Sequence, residues 1–595
     1  MWIVCFWLSL GALALSVLLA CRAARQKQRK LRPLYLLFGG VFLSAVFLLY
    51  PIWRTVLQQD ANGTLKAILV SMHDTIQFFT ADSDYGLVRD GIDGLGEPLR
   101  EAYAILGAVL ALLAPLLTFG FVLTFFKGIS SRLRMAFHLP ADMYVFSEIN
   151  PRAVALAEGV RAQDARALVV FTNAPKDGDG LDDDLLSRVN KLHAIVYWDD
   201  ISLIRLRRAV GDYKTCLFTI CDREAESITE TLQLVEKYKE RENTFIYLFS
   251  HNVDSELMLN NIDKGKLKVR RVNPTVSLIN HILTEEGAAL FDNAVPMNED
   301  TKMISALVVG VGGVGTAVLK ALAWYCQMDG YVVNINGIDS NEDTLDRLKA
   351  QCPELMDRRY NGQYRPGEAF YRIRIHQAVM GSATFRQKVR EIGTVTYVFV
   401  ALGDDSLNVS TAVELRVLFE QMHIHPRIVA VMTDSERRTA LENACDRNGT
   451  PYDIHYVGDM ATVYSPDVII NSAWEQKALE LHKRYNNGDP YGFYEFEYNY
   501  KSSMASVIHN EARRHCGILG SDKKEADMTP AERDSIETLE HKRWNAYMRS
   551  EGFIYSGSKD KQSRNDLGRM HHNLVEFDEL EDEDKRKDSR VGAAD

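Results

Sequence analysis

Hydrophobicity along the chain changes rhythm twice. Residues 2–20, 34–53 and 102–126 are apolar and uncharged throughout. Each is near or above the ~18–20 residues that cross ~30 Å of hydrocarbon, so 1–135 is predicted to be a transmembrane region of three helices. In the loop after the second span, Leu65, Ile68, Leu69, Met72, Ile76 and Phe79 recur at three- and four-residue steps. That pattern describes an amphipathic helix that lies on the interface, re-enters the bilayer or packs on its neighbours. From about 141 short apolar runs alternate with amphipathic helical stretches, the signature of parallel α/β sheets, in two series over 141–295 and 302–485. From 490 to 595 the pattern is mainly helical, with helices expected at 498–519 and Pro530–Ser550. The predicted fold class is therefore multi-domain: membrane helices, two Rossmann-like α/β domains and a helical tail.

Charge orients the membrane part. Arg22, Arg25, Lys27, Arg29, Lys30 and Arg32 follow the first span, and Lys127, Arg132 and Arg134 follow the third. Such clusters stay in the cytoplasm, which places the N-terminus and the 54–101 loop outside and the later domains inside a cell membrane. Leu18–Leu19–Ala20–Cys21 has the look of a lipobox, but the segment lacks a basic start and runs straight into arginines, so an anchor is expected. In the third span Gly107, Ala108, Ala111, Ala114 and Pro115 permit close helix approach and a kink, compatible with a pore-lining helix and with plain packing. The net charge of -11 argues against nucleic acid as a partner. Eight cysteines are scattered with no CxxC pair, so no metal site and no disulfide framework is predicted.

The strongest chemical signal follows the expected strand Lys302–Val309: GVGGVG at 310–315, with Gly310, Gly312 and Gly315 in GxGxxG spacing. A helix over 316–326 and a strand over 331–338 come next, closed by Asp339. The first glycine permits a tight turn, the second lets backbone approach a pyrophosphate, the third lets helix meet strand, and the acid can bond a ribose hydroxyl. This order implies NAD(H) or another nucleotide; a Rossmann turn that binds nothing is the alternative. In the first series Ser147–Glu148–Ile149–Asn150–Pro151–Arg152 stands where glycines would, and Leu168–Phe171 runs to Asn173 instead of an acid. Glu148 would repel phosphate, so an ordinary dinucleotide is not expected there.

Each series continues with a strand, an acidic turn, a helix and another strand: 217–231 before Thr244–Phe249, and 398–416 before 427–432. The duplicated arrangement resembles the RCK or TrkA-N family, nucleotide-binding regulatory domains of potassium channels and transporters. The resemblance implies a ring-forming homo-oligomer, with a tetramer favoured by analogy, and carries over Gly310, Gly312, Gly315 and Asp339 as cofactor-binding residues. Asp404, Asp405 and Asn408 match the acidic turn or cap a helix.

The tail holds LEHKRWNAYMRSEGFIY at 539–555 and MHHNLVEFDEL at 570–580. Together they resemble the RyR domain, the helical repeat module named after ryanodine receptors, over roughly 490–592. The resemblance points to His541, Arg543, Trp544 and Tyr555 as ligand-binding residues. His541 and Trp544, three apart on a helix, can touch, and Arg543 supplies a guanidinium for phosphate or ring stacking. The bland alternative is that Trp544 is core and the other two bind nearby backbone or carboxylates. The acidic run from Glu576 to Asp584 reads as a solvated face.

No nucleophile elbow, HExxH or Walker loop is present in the sequence, so a binding role is expected in preference to catalysis. The expectation is a membrane-embedded conductance gated by a nucleotide-type signal. By architectural analogy alone, the layout is similar to that of antiphage effectors. The alternatives are a membrane-tethered NAD(P)-dependent oxidoreductase and a non-conducting regulatory subunit of a transporter.

Overall fold

The computed structural model describes residues 1–25, 32–80, 85–137, 140–173, 182–206, 212–362, 371–470 and 472–592. Lys27, Arg29 and Lys30 of the orienting basic cluster lie outside them. Five helices come first: α1 (Trp2–Arg25), α2 (Arg32–Val56), α3 (Gly63–Thr80), α4 (Tyr85–Gly91) and α5 (Glu97–Phe137). The first α/β series comprises β1 (Met143–Phe146), α6 (Pro151–Gln163), β2 (Leu168–Phe171), α7 (Asp183–Lys191), β3 (Ile195–Val196), β4 (Thr215–Thr219), α8 (Glu224–Tyr238), β5 (Thr244–Phe249), α9 (Val253–Asn261), β6 (Lys268–Val272) and α10 (Pro274–Glu285). The second comprises α11 (Ala288–Asp292), β7 (Val295–Pro296), β8 (Lys302–Val309), α12 (Gly313–Tyr325), β9 (Tyr331–Asp339), α13 (Thr344–Gln351), β10 (Tyr371–Gln377), α14 (Ala383–Ile392), β11 (Tyr397–Val400), α15 (Asp405–Gln421), β12 (Arg427–Val431), α16 (Ser435–Leu441), β13 (Ile454–Val457), α17 (Met460–Val463), α18 (Pro466–Ile469) and α19 (Ala473–Tyr485). The tail holds α20 (Glu497–His515), α21 (Pro530–Ser550), β14 (Ile554–Tyr555), β15 (Met570–His571) and α22 (Asp582–Gly592). By contact the chain divides into two units, Met1–Pro140 with Val170–Arg207, and Ala141–Val169 with Arg208–Asp595.

In the first unit, Trp2–Arg22, Tyr35–Val56 and Glu97–Phe119 are long and apolar enough to cross a membrane. Their core sets Val41, Ala45, Leu48 and Leu49 of α2 against Phe78 and Phe79 of α3 and Tyr103, Leu110 and Ala114 of α5. Polar groups inside it are paired: the Ser9 hydroxyl donates to the Ser44 carbonyl at 2.7 Å and the Tyr103 hydroxyl to the Trp2 carbonyl at 2.8 Å. Helix α3 forms where the apolar period predicts, with most of the apolar stripe turned outward from the helix core. Ala67, Ser71, Thr75 and Phe78 point inward, while Leu65, Ile68, Leu69, Met72 and Ile76 are exposed and only Phe79 of the expected stripe is buried. Small residues win the inner face because they allow close approach, and the Ser71 and Thr75 hydroxyls bond carbonyls one turn back.

In the second unit both series build parallel sheets. β1 pairs with β4, β4 with β5, and β5 with β6, all parallel. The second sheet runs β10-β9-β8-β11-β12-β13 in parallel, with β7 antiparallel on β8. Renumbered from β8 that order is 3-2-1-4-5-6, the doubly wound Rossmann-like arrangement, with its reversal between β8 and β11. Helix starts are set locally. Asn150 and Asn273 cap α6 and α10 ahead of a proline, and Thr529 with Glu532 forms a capping box at α21. α12 begins at Gly313, three residues before the predicted 316, because the last three glycine-loop residues, Gly313, Val314 and Gly315, already form its first turn.

Candidate functional site

The glycine loop is shaped by close approach at two of its glycines and by openness at a third. Gly310 turns the chain at φ 85°, where a Cβ would lie 2.4 Å from the Ala401 carbonyl oxygen. At Gly315 a Cβ would come within 1.8 Å of the Gly310 oxygen. Gly312 is the N-cap of α12 without a side-chain cap, and a Cβ on it would meet nothing within 4 Å. The start of this helix thus opens onto free space, as an anion-receiving helix end requires. Asp339 is anchored: Oδ2 accepts the Val311 N–H at 2.6 Å and Oδ1 the Asn341 N–H at 2.8 Å. A ribose would share a carboxylate whose orientation the loop itself fixes. Asp404 caps α15 through the Leu407 N–H, Asp405 accepts from Thr433, and buried Asn408 ties Leu402 to Val431. These three hold the turn in place.

The corresponding loop of the first sheet is closed by its own side chains. The Ser147 hydroxyl accepts the Ile220 N–H, and Asn150 donates to the Ile220 carbonyl while capping α6. Glu148 accepts the Asp222 N–H, and Arg152 donates to the Cys221 carbonyl and pairs with Asp222. Burial pushes the Glu148 carboxyl above its ordinary range.

The tail encloses a cavity of about 570 Å³. His541, Arg543 and Trp544, projecting from α21, line one side; Tyr498, Ser502 and Ser506 of α20 line another. Lys561, Arg564, His571, His572, Asp584, Lys587 and Asp588 close it. Arg543 is only 1% exposed; Nε and Nη2 donate to Glu540 at 3.3 and 2.5 Å, Nη2 also to the Ser506 hydroxyl at 3.0 Å, and Nη1 has no protein partner. Half-buried Trp544 stacks near His541 with centroids 5.8 Å apart and meets His571 edge-on at 4.9 Å. His541 Nε2 lies 2.9 Å from the Val575 carbonyl and Nδ1 3.4 Å from Asp588, whose carboxyl burial pushes upward. The pocket gathers four cationic side chains, three carboxylates, an indole, two phenol rings and three imidazoles; Arg543 and Lys587 are paired with Glu540 and Asp584, and the aromatic faces and guanidinium groups are of the kind that stack a base and pair with phosphate.

Three of the four tail residues singled out in the sequence meet at this cavity. Tyr555 stands apart from its lining and pairs with His571 in a short sheet, its N–H donating to Glu354 at 2.8 Å. Asp584, expected on a solvated face, is buried on the inner side of α22 and bonded to Lys587. Arg564, Lys561 and the paired imidazoles carried no sequence signal beyond the histidine pair in MHHN.

Helix α12, which starts at the glycine loop, packs on α21, which carries His541, Arg543 and Trp544. Trp324 meets Tyr547 edge-on at 6.0 Å, His509 of α20 lies 2.7 Å from the Gln327 carbonyl just beyond α12, and Arg549 pairs with buried Glu354 at 3.3 Å. The helix that starts at the glycine loop therefore packs, through its far end, on the helix that lines the cavity.

The imidazoles give the assembly a pH signature. Burial holds His571 down to about 3 and His509 well below the ordinary histidine value, so the folded protein binds fewer protons there than the unfolded chain. Stability is fully present above about 6.5 and is lost as pH falls below it, by up to ~1.4 kcal/mol per unit for each such group. Melting temperature should fall between pH 7 and 5, with a shallower slope in His571→Gln; a flat profile for the native protein excludes this assignment.

The chain matches no family model, and no curated protein matches it.

Proposed function

We propose that the chain is a membrane-embedded, ligand-responsive protein, working as a homo-oligomer, in which a nucleotide-type ligand held by the tail cavity or the glycine loop controls permeability. The observation that carries the reading is the packing of α12 on α21: the helix that starts at the glycine loop touches, at its other end, the helix that carries His541, Arg543 and Trp544. Three helices fit to cross a membrane, the open end of α12 and the aromatic and cationic cavity each support one part of it. The mechanism is a population shift, in which a ligand that binds one arrangement more tightly biases the membrane helices. Moving an equilibrium from 1:99 to 99:1 takes ~5.5 kcal/mol of differential affinity, which several subunits can share.

Ion flux from liposomes carrying the purified protein, measured with NAD and then with mono- and cyclic nucleotides, tests this directly. Flux that appears only with a nucleotide supports the reading; hydride transfer without flux supports the oxidoreductase alternative. Arg564, at the cavity and half exposed, is the cleanest probe. A dry charge-assisted contact contributes ~1.5–3 kcal/mol, and with the guanidinium partly in water the lower end applies. Arg564→Ala should raise the half-maximal nucleotide concentration about tenfold with melting unchanged. An unaltered dose response excludes the cavity as the sensor.

A further inference from the structure

A second, chemically distinct cavity lies on one face of the second sheet, away from the glycine loop. Strands buried in a doubly wound sheet are apolar on both faces. Here the face shared by β8, β9 and β10 changes character along its length. At the carboxyl end Leu307, Val309 and Ile338 pack under Phe385 and Val389 of α14. Toward the amino end the register places Ser305 beside Asn334 beside Arg372, and in the next row Asn336 beside Arg374. These polar side chains, with His376, surround a cavity of about 380 Å³ walled by Glu391, Ile392 and Thr394.

An edge strand with a plain solvent face would explain arginines on β10, but not the amides behind them. Asn336 is only 7% exposed and its Oδ1 lies 3.2 Å from His376 Nε2. Asn334 Oδ1 is buried with no protein partner, and its amide nitrogen finds only the weak acceptor Met303 Sδ. Among the described residues the one carboxylate lining the cavity is Glu391, and Lys388 and Gln387 each hold it at 2.8 Å. Exposed Arg374 and the two amides therefore give the cavity a cationic, hydrogen-bonding wall on a chain of net charge -11. Arg372 and Arg374, two residues apart on a strand, have Cα atoms ~6.6 Å apart, within reach of a single phosphoryl group for side chains of that length.

We propose that this cavity binds a small phosphate-bearing anion, with Arg372 and Arg374 on the phosphate and Asn334 and Asn336 on the polar body next to it. Ser305 precedes Gly310 by five residues, ~16 Å along the strand, so this is a separate site from the glycine loop. The test is titration calorimetry of the full-length, detergent-purified protein with inorganic pyrophosphate at low ionic strength. The expected result, read in a Gly312→Val background that takes the glycine loop out of the titration, is saturable binding that Arg374→Gln weakens at least tenfold. Arg374 is exposed, so its replacement should leave melting unchanged. Asn334→Asp, which sets a carboxylate in the cavity without touching either arginine, should also weaken binding. Absence of saturable pyrophosphate binding, or binding equal to that of the Gly312→Val background in both variants, overturns the site.

Discussion

Glu540→Ala should be among the most destabilising single substitutions in the tail, at a cost of about 3–5 kcal/mol. Glu540 and Arg543 are each 1% exposed and bonded at 2.5 Å, so removing the carboxylate leaves a guanidinium buried with the hydroxyl of Ser506 as its remaining partner. Arg513, fully buried nearby, magnifies the loss. Burial holds its guanidinium down to about 10, and Glu540 is the charge that chiefly counters this. Taking two charges out of water costs more than their mutual attraction returns, so a double variant, Glu540→Leu with Arg543→Leu, should recover much of the lost stability. Thermal unfolding of the full-length protein measures both. If Glu540→Ala melts with the native protein, or the double variant is the sum of the singles, the pair is not the buried unit described. One consequence concerns Arg543 itself: its replacement removes fold and ligand contact together, which is why Arg564 is the better functional probe.

Gly315→Val and Gly312→Val should separate structure from binding within one loop. At Gly315 the new side chain meets backbone, the Gly310 oxygen, which cannot rotate away, so strand and helix must part. Overpacking costs ~1–3 kcal/mol where side chains can yield and more where they cannot, so Gly315→Val should lower the melting temperature sharply or prevent folding. At Gly312 the space is open. Gly312→Val should melt like the native protein yet lose saturable NAD binding in calorimetry, because its isopropyl group occupies the position a phosphate would take. Equal melting losses in the two variants contradict the geometry. NAD binding undiminished in Gly312→Val contradicts the binding role.

The α/β order was legible because buried parallel strands announce themselves as short apolar runs: Met143–Phe146, Leu168–Phe171, Thr244–Phe249 and Lys302–Val309 appear where the sequence places them. Helix Pro530–Ser550 forms over the span expected, and the structure adds a capping box and an N1 proline at its start. The inner face of α3 was not legible. Hydrophobicity scales favour Leu65 and Leu69, whereas packing between helices rewards Ala67, Ser71 and Thr75, whose value is their small size. Half of the tail cavity was hidden for another reason. His541, Arg543 and Trp544 are neighbours on one helix, but Tyr498, Arg564, His571 and Asp588 reach them across tens of residues without any periodic signal. The polar face of β9 and β10 was equally silent, since Asn334, Asn336, Arg372 and Arg374 join only through sheet register.

Severability is limited by two adjacent residues of the first sheet. On β6, Arg270 is buried between the Tyr247 and Tyr500 rings and paired with Glu475 of α19, while Arg271 reaches Glu497 of α20 at 2.5 Å. The domain whose own nucleotide loop is sealed thus supplies cations for carboxylates that stand more than two hundred residues later. Cutting the chain near residue 490 to transplant the tail would strand Glu497 without its guanidinium, and excising 302–485 would remove Glu475 and strand Arg270 in turn. The first series thus anchors later segments of the chain, and the tail is a module in sequence without being a portable part.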